Sequence, residues 1–145
     1  MIPTMKTKLL SPDAKLPTRA TERSAGLDLY SPVDEVLAPG QRRRIGLGIR
    51  IQLPPGCEGQ VRPRSGMAER HAVLAILGTI DEDYRGEINA LMINHSPFPY
   101  TIHKGDRIAQ LVVAPVVYVT VVNAEEDDDL GTTERGAGGF GSTGR

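Results

Sequence analysis

Cysteine is almost absent from this chain: Cys57 is the only one in 145 residues. One thiol cannot close an internal disulfide, and no cysteine and histidine cluster has zinc-site spacing, so a reducing compartment is the simplest setting. Aromatic residues are scarce, with four tyrosines, two phenylalanines and no tryptophan. An aromatic side chain in a polar loop is therefore not cheap core material. Neither sign of charge is in excess, because seventeen basic and eighteen acidic residues leave a formal net charge of -1. That excludes a global field for nucleic acid or an anionic membrane and confines any polyanion site to a local cluster. Long apolar runs are missing as well. The start, MIPTMKTKLL, has no signal-peptide core, and no window nears the roughly 20 apolar residues of a membrane span. Together these absences predict a cytoplasmic protein with no membrane or nucleic-acid partner.

Glycine and proline are plentiful. Sixteen glycines and eleven prolines break the chain too often for helices of the ordinary length of about 11 residues. A mostly β domain follows. From Arg44 to Leu53 the alternation is unbroken, with Ile45, Leu47, Ile49, Ile51 and Leu53 facing one way and Arg44, Gly46, Gly48, Arg50 and Gln52 the other. Pro54, Pro55 and Gly56 close that strand in a turn. Further strands are predicted over Lys8 to Leu10, Gly26 to Tyr30, Gly59 to Arg62, Val73 to Ile80, Gly86 to Ile93, Tyr100 to Ile102, Ile108 to Ala114 and Val116 to Val122. Many short strands between turns suggest a sandwich, barrel or jelly roll. Met67 to Leu77 is the one upstream window that can hold a helix, preferably a short one running into a strand. One domain over residues 1–124 is predicted, followed by an arm over 125–145. The arm opens on the acidic run Glu125 to Asp129, and the stretch from Gly131 to Arg145 holds six glycines. Ordering it costs about 1 to 2 kcal/mol per residue with little apolar burial in return, so it should move until a ligand holds it.

Five segments carry side chains suited to chemistry, and each has an ordinary reading. In AGLDLYS, Asp28 sits between apolar neighbours on a strand; an outward-facing acid would look the same. In RPRSGMA a strand gives way to a glycine turn, so Arg64, Ser65 and Gly66 can cradle a phosphate or simply make a capped turn. GTIDEDYRGE lies between two apolar strands and is predicted to be a hairpin loop. Charged loops are usually just solvated, yet Asp81 directly follows an apolar run and Tyr84 is an aromatic in a polar loop. In KGDRIAQL, Gln110 interrupts an apolar run and needs partners, whether backbone or ligand. In RGAGGFGSTG, glycines let successive N–H groups converge on an anion, Arg135, Ser142 and Thr143 add donors, and Phe140 adds a stacking face. It lacks the lysine of a Walker A loop, and a flexible tail is its plain alternative.

In this order and at these separations, the five segments resemble the five motifs of the trimeric dUTPase family, from Ala25 to Gly144. The resemblance implies an all-β, distorted jelly-roll protomer and a homotrimer whose three active sites each draw motifs from all three chains. It implies hydrolysis of dUTP to dUMP and pyrophosphate, which limits uracil in DNA and supplies dUMP. Asp81 would activate water for attack on the α-phosphorus. Mg2+ would be held by triphosphate oxygens and waters, with Asp28 accepting from a metal-bound water. Arg64, Ser65, Gly66 and Gln110 would hold the α- and β-phosphates, while Arg135, Ser142 and Thr143 close on the γ-phosphate. Phe140 would stack on uracil beside Gly141. The hairpin backbone around Gly78 to Tyr84, with Gly78, Thr79 and Ile80 among the contacts, would read the pyrimidine edge, and Tyr84 would pack under the deoxyribose. A dCTP deaminase of the same fold, or a bifunctional member of that group, is the nearest rival, but its deaminating site needs a glutamate in the base pocket. A trimer that binds nucleotide without catalysis is the other.

Overall fold

The computed structural model describes residues 2–126, 130–141 and 144. The predicted strand Arg44 to Leu53 is observed as β4 (Arg42–Gln52), which starts two residues earlier and ends one residue earlier. All five residues of its apolar face are buried. β4 lies between β1 (Lys6–Leu9) and β8 (Glu87–Asn94), and β8 is flanked by β6 (Val73–Ala75), making one four-stranded sheet. The second sheet has the order β2 (Gly26–Tyr30), β10 (Arg107–Pro115), β5 (Cys57–Arg62) and β7 (Gly78–Ile80). β3 (Glu35–Leu37) and β9 (Tyr100–Ile102) form a small third sheet. Every strand pairing is antiparallel. One apolar cluster joins Ile45, Leu47, Ile88 and Met92 of the first sheet to Leu29, Val61, Ile108 and Leu111 of the second, as the jelly-roll expectation requires.

Several predicted boundaries change. Gly48 was expected on the solvent face of β4 but is buried, with φ at +67°. The ladder to β8 skips from the pair Gly46 and Asn89 to the pair Arg50 and Glu87, four steps against two. Two extra residues preserve parity, so the bulge leaves the alternation intact. Glu87 fills the gap: its Oε1 accepts from the Gly48 N–H at 2.9 Å. A Cβ on Gly46 would lie 2.6 Å from that same oxygen. The run Val73 to Ile80 is two strands, because the chain crosses from the first sheet to the second between them. For the same reason the segment 78–87 is not a hairpin, since β7 pairs with β5 while β8 pairs with β4 and β6. The helix is α1 (Ser65–His71), shorter and earlier than the window Met67 to Leu77. It ends where Ala72 turns left-handed, with φ at 52°. β3 was not predicted. Val116 to Val122 was predicted as a strand and has no regular structure; Val117, Val119, Val121 and Val122 are exposed. β10 already has a strand on each side, and a strand without a ladder partner does not form. Among the described residues no helix is long and apolar enough to cross a membrane.

Candidate active site

Three of the five segments meet on the second sheet. β10 is the shared neighbour of β2 and β5, and its register sets Gln110 opposite both Asp28 and Arg62. Asp28 is therefore not an outward-facing acid. Its Oδ1 lies 3.4 Å from Arg64 Nε and its Oδ2 lies 3.4 Å from Arg107 Nη1, with the carboxylate only 15% exposed. Arg64 also donates through Nη1 to the carbonyl of Arg107 at 2.7 Å. Gln110 is satisfied by backbone on one side, since Nε2 donates to the Pro63 carbonyl at 2.9 Å. Its Oε1 lies where a Cβ on Gly26 would fall, which fixes glycine at that position. Ser65 and Gly66 open α1, whose cap residue Arg64 supplies no side-chain cap and whose first turn holds no acid. Beside this cluster a cavity of about 330 Å³ is lined by Arg64, Arg70, Arg107, His71, Tyr100 and Asp106. Three guanidinium groups against one carboxylate make it a local anion field in a chain without a global one. Burial raises the Tyr100 hydroxyl above its ordinary range, so that phenol stays neutral there.

Asp81 lies elsewhere. It follows the end of β7, where Ile80 is buried and Asp81 is exposed. β7 is the edge of the second sheet, so the backbone groups on its outer side face away from the ladder. A cavity of about 210 Å³ runs along that edge, lined by Gly78, Thr79, Ile80, Asp81, Tyr84 and Asn89, together with Val61, Glu87 and Ile88. It is smaller than the roughly 300 to 1,000 Å³ of pockets for larger ligands, which suits a single ring. The loop is braced from within. Tyr84 donates to the carbonyl of Glu87 at 3.0 Å, and Arg85 Nη1 donates to the carbonyls of Glu82 at 2.7 Å and Tyr84 at 2.9 Å. The Tyr84 ring lies across Gly86, where a Cβ would fall 2.2 Å from the phenol oxygen. Only glycine lets the ring lie there.

On its other side Asp81 faces a cavity of about 540 Å³ whose acidic lining is Glu58, Asp81, Glu82 and Asp83. Glu82 Oε2 accepts from the Gly56 N–H at 2.8 Å and from the Tyr118 hydroxyl at 2.9 Å. The Gly56 bond first, then the Tyr118 bond, hold the Glu82 carboxyl below the usual carboxylate range. Because the folded-state value is the lower one, this anchoring is complete above the ordinary range and is lost as pH falls through the lowered value.

The two clusters do not meet within one chain. Asp28 and Asp81 belong to opposite edges of a four-stranded sheet, three strand spacings apart. Along β5 they are also four residues apart, because Asp28 is level with Arg62 and Asp81 follows Ile80, which pairs with Gly59. At about 4.8 Å per spacing and 3.3 Å per residue, the separation is roughly 20 Å. Among its described residues, the fifth segment bonds within itself. Arg135 Nε donates to the nearby Gly138 carbonyl at 2.8 Å, and Phe140 and Gly141 are exposed, with Phe140 held at a φ of 49°. Ser142 and Thr143 lie outside the described residues.

Magnesium suits these residues only through substrate and water. Among the described residues no group of three or more His, Cys, Asp or Glu side chains converges. Asp28 meets one guanidinium on each oxygen, and a carboxylate has about four lone-pair sites, leaving room for a metal-bound water. Arg107, Glu87, Gly86, Asn89 and Tyr118 were given no role from the sequence. Arg107, Gly86 and Glu87 lie inside quoted segments, where a cation three residues before Gln110 and a glycine two after Tyr84 were signals. Asn89 and Tyr118 emerge only from the folded arrangement.

A family model described as dUTPase matches residues 12–144. The chain is 50% identical over 143 residues to a deoxyuridine 5'-triphosphate nucleotidohydrolase of Nautilia profundicola, covering 97% of this chain and 99% of that protein. It is 51% identical over 136 residues to the protein of that name from Anaeromyxobacter sp., covering 92% and 90%. In structure it resembles a mutant Staphylococcus bacteriophage 80alpha dUTPase with dUpNHpp, at a TM-score of 0.92 and 28% identity over 98% of this chain and 99% of that one. A mutant dUTPase from phage phi11 of S. aureus, in which a structural Mg(II) ion is coordinated, aligns at a TM-score of 0.81 and 26% identity over 85% and 97%. With the family model matching most of the chain and relatives at about 50% identity covered over nine-tenths or more of their length, the chain belongs to the dUTPase family.

Proposed function

We propose that this protein hydrolyses dUTP to dUMP and pyrophosphate, acting as a homotrimer in which each site combines residues of different chains. The observation that carries the reading is the ring-sized cavity along the open edge of β7, with Asp81 and Tyr84 both in its lining. Uracil presents N3–H and two carbonyls in one plane, a pattern that the outward-facing backbone groups along Gly78, Thr79 and Ile80 would read. Cytosine leaves those groups unpaired, and thymine adds a methyl whose exclusion is worth about 1 to 3 kcal/mol. Tyr84, pinned across Gly86, lies under the deoxyribose and leaves no room for a 2′-hydroxyl.

Asp81 orients a water for in-line attack on the α-phosphorus and takes its proton. The pocket beside it is acidic and cannot itself hold a triphosphate. The phosphates are held by the basic cluster of another chain, where Arg64, Ser65, Gly66 and Gln110 grip the α- and β-phosphates. Asp28 would hold Mg2+ through water, and the ion would supply charge neutralisation on the phosphate oxygens. The arm of residues 125–145 closes over a neighbouring site, with Arg135, Ser142 and Thr143 on the γ-phosphate and Phe140, next to Gly141, stacked on uracil. Each hydrogen bond to a charged oxygen contributes roughly 1.5 to 3 kcal/mol, and several together offset the ordering of the arm. The body of residues 1–124 serves as the catalytic domain. A lone, unpaired Cys57 supports a cytoplasmic setting.

Pyrophosphate release measured across dUTP, dCTP, dTTP and UTP, with and without Mg2+, tests the reading. Release from dUTP alone, and only with the metal, is expected. Ammonia from dCTP with dUTP left intact would overturn it in favour of deamination.

A further inference from the structure

Glu82 joins three parts of the chain that are far apart in sequence. Its Oε2 accepts from the Gly56 N–H of the β4–β5 turn at 2.8 Å and from the Tyr118 hydroxyl at 2.9 Å. The same Gly56, held at a φ of +74°, accepts through its carbonyl from the Val116 N–H at 2.9 Å. The loop that begins at Asp81, the turn at Gly56 and the first residues beyond β10 are thus tied at one point. Beyond β10 the chain has no ladder partner, and Tyr118 is 70% exposed. Its hydroxyl is directed to Glu82 even so. Tyr118 and Asp81 also line the same cavity of about 540 Å³, so the tie lies beside the residue whose carboxylate meets water.

We propose that Tyr118 and Glu82 form a latch and act as positioning residues: they hold the Asp81 loop against the root of the segment that leads to the arm. Neither group reaches substrate. The latch fixes where the Asp81 carboxylate stands and couples it to the course of the chain leaving β10. A misplacement on the order of 1 Å at a group that aligns a nucleophile is enough to lower turnover while leaving binding intact. The effect of losing the latch therefore falls on kcat and not on KM. This inference rests on the dUTP-hydrolysing reading above.

The test uses full-length Tyr118→Phe, Glu82→Gln, Glu82→Ala and the double variant Tyr118→Phe/Glu82→Ala, with dUTP and Mg2+. Tyr118→Phe keeps the ring and removes only the hydroxyl; its kcat should fall about three- to tenfold, the span of one lost hydrogen bond, with KM changed less than about twofold. Glu82→Gln keeps an acceptor oxygen and should retain more kcat than Glu82→Ala. The double variant should be no slower than Glu82→Ala alone, because both changes break the same tie. Melting curves should superimpose for wild type and Tyr118→Phe. A Tyr118→Phe enzyme with wild-type kcat, or losses that multiply in the double variant, would overturn the latch. So would a fall in melting temperature with kcat per folded enzyme unchanged, since that marks a merely structural contact. Wild-type protein that releases no pyrophosphate from dUTP would instead overturn the functional reading, so the two failures are distinct.

Discussion

Asp81 stands exposed at the end of an edge strand, with buried Ile80 before it and a braced loop behind it. A carboxylate in that position has few contacts to lose, so its removal should affect chemistry far more than folding. Asp81→Asn is expected to keep the wild-type melting temperature and its affinity for a non-hydrolysable dUTP analogue, while kcat falls by about 10² to 10⁴, the usual span for a lost general base. Calorimetry with the analogue and a pyrophosphate assay check the two halves; wild-type turnover would remove Asp81 from its role. Asp28 illustrates what sequence alone could not supply. Its setting in AGLDLYS is equally that of a solvated acid, and only the antiparallel register of β2 and β10, with β5 beyond, brings Arg64 and Arg107 to its two oxygens. Long-range register is not written in local composition.

Among the elements, β4 was read correctly from period two and still hid its main irregularity. The bulge at Gly48 inserts two residues, so every apolar side chain remains inward and no break in the alternation marks it. Its only local sign was a pair of glycines in a strand. Gly48→Ala must take up a φ of +67° and place a Cβ 2.8 Å from that of Ala14. The left-handed strain and the overpacking together should cost about 2 to 4 kcal/mol. Urea unfolding checks this as a lower midpoint at unchanged m; an unaltered midpoint would show that the bulge relaxes freely. The segment Val116 to Val122 failed in the opposite sense. Its apolar, β-branched composition predicts a strand, but composition does not supply a neighbour, and within one chain both sides of β10 are taken. The segment GTIDEDYRGE stood out in the sequence as a candidate functional loop because an aromatic and an acid interrupt the pattern. Its passage from one sheet to the other was not, because flanking apolar runs look alike whether or not they pair.

At the scale of the molecule, the separation of the clusters is the fact that most constrains the mechanism. Asp28, which pairs with Arg64, stands on one edge strand of the second sheet and Asp81 follows the other, roughly 20 Å away, while in the arm the described Arg135 bonds to its own neighbour Gly138. The order of the five segments along the chain announced the family, but it carried no sign that they form separate clusters in space. The cyclic trimer proposed above would resolve this, because rotation brings different parts of identical chains to one place. The most direct measurement mixes two inactive forms: Asp81→Asn chains and chains ending at Glu134, unfolded together and refolded as random trimers. Each form alone should hydrolyse dUTP at a small fraction of the wild-type rate. If Asp81 and the arm of one site come from different chains, about a quarter of the sites in the mixture regain both, and activity should rise to about a quarter of wild type. A mixture no more active than its parts would contradict the shared site.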